Sequence, residues 1–298
     1  MGEMTTGQRR EAVLASLGRL YDLTGTLREL CPWDREQTQE DIVAYTLEET
    51  YELVDAVRAV GPEHHAHVAD ELGDLLFQVY FLARVAEQAG WYDLGEVAEG
   101  IRQKLVRRHP HIFAGATADT PADVKRTWDA VKRHTEGREG IFHAIPAALP
   151  GTLYAQKLQQ RAATVGFDWP EARPVLDKIR EETDEIDVAM AQYAAQAGVP
   201  EGSDPTERPR VSARVAEEVG DLLFAVVNLA RKVGADPELE LRASAYRFRN
   251  RVEQAADLAA GEGVAFEDIG LQEQEGYYQR AKVTLAQGRD GRIGEATA

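Results

Sequence analysis

Glu48, Glu49 and Glu52 lie within LEETYELVDAV (47–57), and Glu71 and Asp74 within ELGDLLF (71–77). Residues three or four apart on a helix share a face, so Glu49 projects with Glu52, Glu48 stands beside Glu52, and Glu71 projects with Asp74. Two antiparallel helices joined by a short loop would set these pairs opposite each other. Carboxylates at that density repel and raise one another's pKa unless a cation lies between them. All-oxygen ligation suits Mg²⁺ or Mn²⁺ rather than zinc. A di-iron helical bundle needs Glu-x-x-His on its helices, and no histidine of this chain has a glutamate three residues before it. One acidic pair alone is ordinarily a solvated face. Here, however, Glu49 stands one turn from Leu53 and Glu71 one turn from Leu75, bordering the apolar stripe. The same spacings recur as Glu181, Glu182 and Glu185 in REETDEIDVAM (180–190), and as Glu218 and Asp221 in EVGDLLF (218–224).

A carboxylate-held Mg²⁺ usually keeps open positions for water or phosphate, and phosphate needs cations of its own. Lys104 and Arg108 are four apart, as are Arg247 and Arg251, so each pair can meet one anionic group from a single helix face. Trp128 and Lys132 are matched in spacing by Tyr278 and Lys282. A basic helix end complementing the dipole is the plain alternative for any one of these residues; their repetition favours phosphate binding. Lys178, just ahead of the second acidic pair, joins the substrate-binding set. Neither GxxxxGK[ST] nor GxGxxG occurs, so a nucleotide would be held by metal and side chains without a glycine cradle.

The elements that must position these residues are helices. Strand-type alternation and Asn-Gly or Asp-Gly hairpin signals are nearly absent, whereas helical periodicity is pervasive. Helices are predicted over 9–30, 38–60, 66–89, 93–108 and 121–134, then 152–164, 172–197, 211–233, 236–259 and 271–286. Gly90 and Gly166 read as helix stops, Pro121 and Pro170 as starts. Leu72, Leu75, Leu76, Val79, Leu82 and Ala83 form one apolar face, expected to pack inward. Mid-helix Gly73 and Gly220 should cost about 1 kcal/mol each, which suggests a neighbouring helix approaching closely. The chain is therefore all-α, with AIPAALPG (144–151) as a Pro/Gly linker between an N-terminal repeat at 9–143 and a C-terminal one at 152–286. Residues 1–8 and 287–298 read as flexible tails. Four blocks recurring in the same order indicate internal duplication. From Glu49 to Glu71 is 22 positions, from Glu182 to Glu218 it is 36, and the loop-like AGVPEGSDPTERPR (197–210) accounts for the excess.

The 298 residues carry a net charge of -17, which disfavours a nucleic-acid partner. A single cysteine, Cys31, excludes an intramolecular disulfide framework. Neither a signal peptide nor an apolar run of membrane length is present, so a cytoplasmic protein without a membrane partner is expected.

Together EETYE, ELGDLLF, CPWDREQT (31–38), KLVRRHPHIF (104–113), EETDE and EVGDLLF resemble the MazG family of the all-α NTP pyrophosphatase superfamily, from about residue 12 to 285. The resemblance implies an enzyme, a tandem pair of MazG-type helical bundles. Its activity would be Mg²⁺-dependent hydrolysis of NTPs and dNTPs, ATP included, to monophosphate plus pyrophosphate, with Mn²⁺ as a substitute. It also implies a homodimer and a housekeeping role in nucleotide pools. Carried over, the metal ligands fall on Glu49, Glu52, Glu71 and Asp74, and on Glu182, Glu185, Glu218 and Asp221. Triphosphate contacts fall on Lys104 and Arg108 and on Arg247 and Arg251. Tyr278 stands where the family commonly has Trp. Glu48 and Glu181 are the candidates for a general base, and Trp33 and Trp128 for a base pocket. The family generally uses its second repeat for catalysis, yet both halves here keep every carboxylate. Two alternatives stay open: a nucleotide or Mg²⁺ sensor or dimerisation scaffold without turnover, and a narrow-substrate dCTP or phosphoribosyl-ATP pyrophosphohydrolase.

Overall fold

A computed structural model describes residues 5–59, 61, 64–115, 120, 123–124, 140–197 and 212–295. The chain is all-α and forms two compact units, Met1–Gly137 and Arg138–Ala298. The first contains α1 (Thr6–Leu30), α2 (Pro32–Glu36), α3 (Gln39–Arg58), α4 (His64–Gln88), α5 (Leu94–Arg108) and α6 (Pro110–Phe113). The second contains α7 (Gly151–Ala163), α8 (Arg173–Ala197), α9 (Ala213–Lys232), α10 (Pro237–Gly261), a 3₁₀ turn at Phe266–Asp268, and α11 (Leu271–Glu295). Of the expected helix at 121–134 only residues 123–124 are described, and they are helical; Pro121, Trp128, Lys132 and the excess segment after Ala197 fall outside the described residues. The unit boundary precedes AIPAALPG, which lies inside the second unit.

Local chemistry explains where helices begin and stop. Thr5, Thr38 and Asp93 cap α1, α3 and α5 in reciprocal capping boxes with Gln8, Asp41 and Glu96. Gly90 (φ +71°) and Gly166 (φ +84°) close α4 and α7 in the left-handed region that a side chain would strain. Pro170 does not start α8; the helix begins at Arg173, with Pro174 in its first turn, where a missing N–H costs nothing. Within the stretches expected as tails, α1 starts at Thr6 and α11 runs to Glu295, while residues 1–4 and 296–298 lie outside the described residues.

Each unit is organised around one antiparallel pair. Gln39, at the start of α3, donates to the Leu82 carbonyl near the end of α4 at 3.1 Å. In the second unit Asp168, ahead of α8, pairs with Arg231 and, at 2.6 Å, with Lys232 at the end of α9. The seams of both pairs match in register. Ile42 and Ala56 are buried seven residues either side of Glu49, as Val175 and Ala189 are around Glu182. The first acid of each cluster thus occupies a core-facing heptad position.

The apolar face of α4 does not pack inward as expected. Tyr80, Phe81, Ala83 and Ala86 are buried, but Leu72, Leu76 and Val79 are exposed, and Val219, Leu223 and Val226 are exposed at the same register of α9. The apolar arc of each helix is wider than one partner helix covers, so its far edge stays open. Gly73 and Gly220 lie on that open side. A Cβ on either would meet nothing within 4 Å, so no described helix of the same unit approaches there.

In the first unit Arg28 ties three elements together. Its guanidinium donates to the Asp34 and Gln37 carbonyls of the CPWDREQT stretch and to Gln88 Oε1 on α4, and lies 5.3 Å from the centre of the Phe81 ring. It is buried, and Cys31 beside it is half-buried between α1 and α2.

Candidate metal and nucleotide site

The antiparallel pairs bring the acids together. In the first unit Glu49, Glu52 and Glu71 each offer a carboxylate oxygen within 4.8 Å of the others. In the second, Glu182, Glu218 and Asp221 do the same. Asp74 and Glu185 stand just outside these groups but act on them. Burial and the charges of Asp74, Glu52, Glu71 and Glu48 raise the pKa of Glu49. Burial and the charges of Glu218 and Glu182 raise that of Glu185, against the Lys178 ammonium. Glu48 and Glu181 are exposed at the rim.

One acid in each cluster is almost sealed from solvent: Glu71 is 6% exposed and Glu182 4%. Glu71 Oε1 faces His67 Nδ1 at 3.3 Å, and its Oε2 is buried with no hydrogen-bond partner. A buried carboxylate oxygen without a donor is costly, and a hard cation is what an all-oxygen cluster of this kind accepts. The residues present therefore fit a divalent metal of the Mg²⁺ type.

The second cluster is satisfied from within. Lys178 Nζ lies 2.6 Å from Glu182 Oε1 and 2.8 Å from Glu181 Oε1, and those bonds hold its pKa well above the usual lysine range. Arg214 Nε lies 3.5 Å from Glu218 Oε1. The position of Lys178, four residues before the first buried-face acid, is Tyr45 in the first unit. Tyr45 meets the exposed Trp33 edge-on, ring centroids 5.8 Å apart. His67, Tyr45 and Arg214 carry no sequence signature of their own; only the register of the duplication marks them.

Among the described residues, no ion pair joins Lys104, Arg247, Arg251 or Lys282 to these acids, and Lys132 lies outside the described residues. Lys104 is half-buried and Arg108 buried on α5; Arg247 and Arg251 are half-buried on α10. Tyr278 and Lys282 are half-buried on α11, and the Tyr278 ring lies 6.0 Å from that of Phe248, between the two arginines on α10. The stretch around Arg247 and Arg251 thus packs beside the one carrying Tyr278 and Lys282.

The family model of the MazG nucleotide pyrophosphohydrolase domain matches residues 37–113, the stretch from the CPWDREQT end through α6. A nucleoside triphosphate pyrophosphohydrolase of Escherichia coli K12 is 39% identical over 272 residues, covering 89% of this chain and 97% of that protein. The chain belongs to the MazG family. A second MazG relative, the nucleoside triphosphate pyrophosphohydrolase/pyrophosphatase MazG of Thermotoga maritima, is 33% identical over 256 residues, 85% of this chain and 90% of its own length. The nucleoside triphosphate pyrophosphohydrolase of Mycobacterium tuberculosis is 38% identical over a shorter span of 143 residues, 47% of this chain and 43% of that protein. The first two MazG similarities run through both units, including both acidic helix pairs.

Proposed function

We propose that this MazG chain hydrolyses nucleoside and deoxynucleoside triphosphates, ATP among them, to the monophosphate and pyrophosphate with Mg²⁺ as cofactor and Mn²⁺ as a substitute. The observation that carries this reading is the pair of carboxylate clusters, each converging within 4.8 Å from two antiparallel helices. The names of the full-length relatives support the reaction class.

When bound, the divalent cation supplies charge neutralisation on the triphosphate and a more acidic water. Glu49, Glu52, Glu71 and Asp74 would hold it in the first unit, and Glu182, Glu185, Glu218 and Asp221 in the second. Glu48 and Glu181, exposed at the rim, would accept the proton of the attacking water. Lys104 and Arg108, Arg247 and Arg251, with Lys178 and Lys282, would neutralise the negative charge that builds on the departing pyrophosphate. Tyr278, held against Phe248, offers a ring face to the base. Trp128 and Lys132 belong to the same proposed substrate set in the first unit. The substrate is an intracellular metabolite, so the protein acts in the cytoplasm, in control of nucleotide pools.

Phosphorus NMR of NTP incubated with the full chain and Mg²⁺ tests the reading. Monophosphate and pyrophosphate in equal amounts are expected. Diphosphate with inorganic phosphate would mean another hydrolase, and bound but intact NTP would mean a sensor.

We further propose a homodimer. The stripe Leu72, Leu76 and Val79 recurs exposed as Val219, Leu223 and Val226, and Val57 and Met190 are exposed at one shared register of α3 and α8. Apolar rows of this kind are covered in stable proteins. Light scattering after size exclusion should return twice the 33.0 kDa chain mass, and Leu76→Asp with Leu223→Asp should return the monomer. A monomeric wild-type protein would sink this part of the proposal.

A further inference from the structure

The two clusters are copies in sequence but differ in how their charge is balanced. In the second unit an ammonium already sits on the metal-facing acids: Lys178 Nζ reaches Glu182 at 2.6 Å and Glu181 at 2.8 Å. Arg214 adds a guanidinium 3.5 Å from Glu218. In the first unit Tyr45 replaces Lys178 and His67 replaces Arg214. No lysine or arginine pairs with Glu49, Glu52, Glu71 or Asp74 among the described residues, and the buried Glu71 Oε2 has no partner at all.

We infer that Lys178 is a built-in counter-ion that competes with the divalent cation for the second site, so that in the nucleotide-free protein the first unit takes up metal ahead of the second. The inference rests on the proposed metal-binding role of both clusters. A buried carboxylate paired with an ammonium releases it before accepting a metal, and that exchange subtracts from the metal's affinity. The open cluster, whose acids repel one another and meet only the His67 imidazole, gains from the same cation with no lysine or arginine to displace. A triphosphate alters the balance in the second unit, because its oxygens offer Lys178 an anionic partner outside the cluster. Occupancy of the second site is thereby tied to the arrival of substrate, whereas the first is filled beforehand. The place of Lys178, four residues before Glu182 on α8, thus sets the order of binding.

Mn²⁺ titration of the full-length, nucleotide-free protein, reading free Mn²⁺ by electron paramagnetic resonance, tests the order without any turnover. Two classes of site are expected, separated by about tenfold in dissociation constant. Glu71→Gln should abolish the tight class. Lys178→Met should strengthen the weak class until the two merge. The reciprocal Tyr45→Lys should weaken the tight class by a similar factor; Tyr45 is exposed, so the substitution leaves the core intact. A single class in the wild-type protein, or a weak class that Lys178→Met leaves unmoved, overturns the inference while leaving the metal reading intact. Absence of Mn²⁺ binding at both clusters overturns the metal reading, and this inference with it.

Discussion

Full-length protein carrying Glu71→Gln together with Glu182→Gln is expected to lose Mg²⁺-dependent pyrophosphate release by a factor on the order of 10² to 10³. These are the two acids most nearly sealed from water, at 6% and 4% exposure. Solvent therefore cannot compensate for the missing charge. Each single variant should silence only its own unit, so comparing the two also apportions activity between the clusters. Glu71→Gln carries a second signature that separates a metal ligand from a structural residue. Its Oε2 is buried without a partner, and Glu71 offers a carboxylate oxygen within 4.8 Å of ones from Glu49 and Glu52. Without metal, neutralising it removes a desolvated charge and one source of repulsion. The variant should therefore melt higher than wild type in excess EDTA, by about 1 kcal/mol, and lose that advantage when Mg²⁺ is added. Calorimetry in both conditions, alongside a pyrophosphate assay, checks the pair of effects. Undiminished turnover in the double variant, or a Glu71→Gln protein less stable than wild type in EDTA, would count against the site.

The acids were legible in the sequence because two rules overlap on them. Three-residue spacing fixes which carboxylates share a helix face, and duplication shows that the spacing is maintained. Helix limits came close for similar reasons: caps and stop glycines act within a few residues, and so do their signals. What failed was the outcome of helix against helix. The face of Leu72, Leu75, Leu76, Val79, Leu82 and Ala83 reads as core, yet Leu72, Leu76 and Val79 are exposed. Hydrophobic periodicity marks an apolar arc but not how much of that arc a neighbour in the same unit covers. The close approach expected at Gly73 is absent for the same reason among the described residues, where nothing lies within 4 Å of its added Cβ. The contrast between Lys178 and Tyr45 could be seen only once the two units were aligned on their buried acids. Charge pairing of that kind depends on side-chain reach across a turn, and composition is silent about it.

Arg28 shows what a purely local reading overlooks. Its replacement by Ala is expected to destabilise the first unit by about 3–4 kcal/mol, a large fraction of a domain's net stability. Nothing near Arg28 in sequence marks it as buried, and an arginine late in a helix ordinarily complements the dipole at the surface. In the fold its guanidinium is surrounded by acceptors: the Asp34 carbonyl, the Gln37 carbonyl at 2.8 Å and Gln88 Oε1 at 2.7 and 3.0 Å. Burial pulls its pKa down and the nearby Asp34 charge opposes that pull, so the cation is retained where its donors are used. Truncation would strand two carbonyls and an amide oxygen and open space beside Phe81. Arg28→Lys should recover only part of the loss, because one ammonium cannot span acceptors on α2, the following loop and α4. The consequence reaches the site, since the same segment carries Trp33, which packs on Tyr45 one turn from Glu49. Hydrogen exchange on the full-length Arg28→Ala protein should show protection falling in α1, α2 and α4 while α8 and α9 keep theirs. Unchanged protection around Gln37 and Gln88 would mean that the CPWDREQT stretch is held by something other than Arg28.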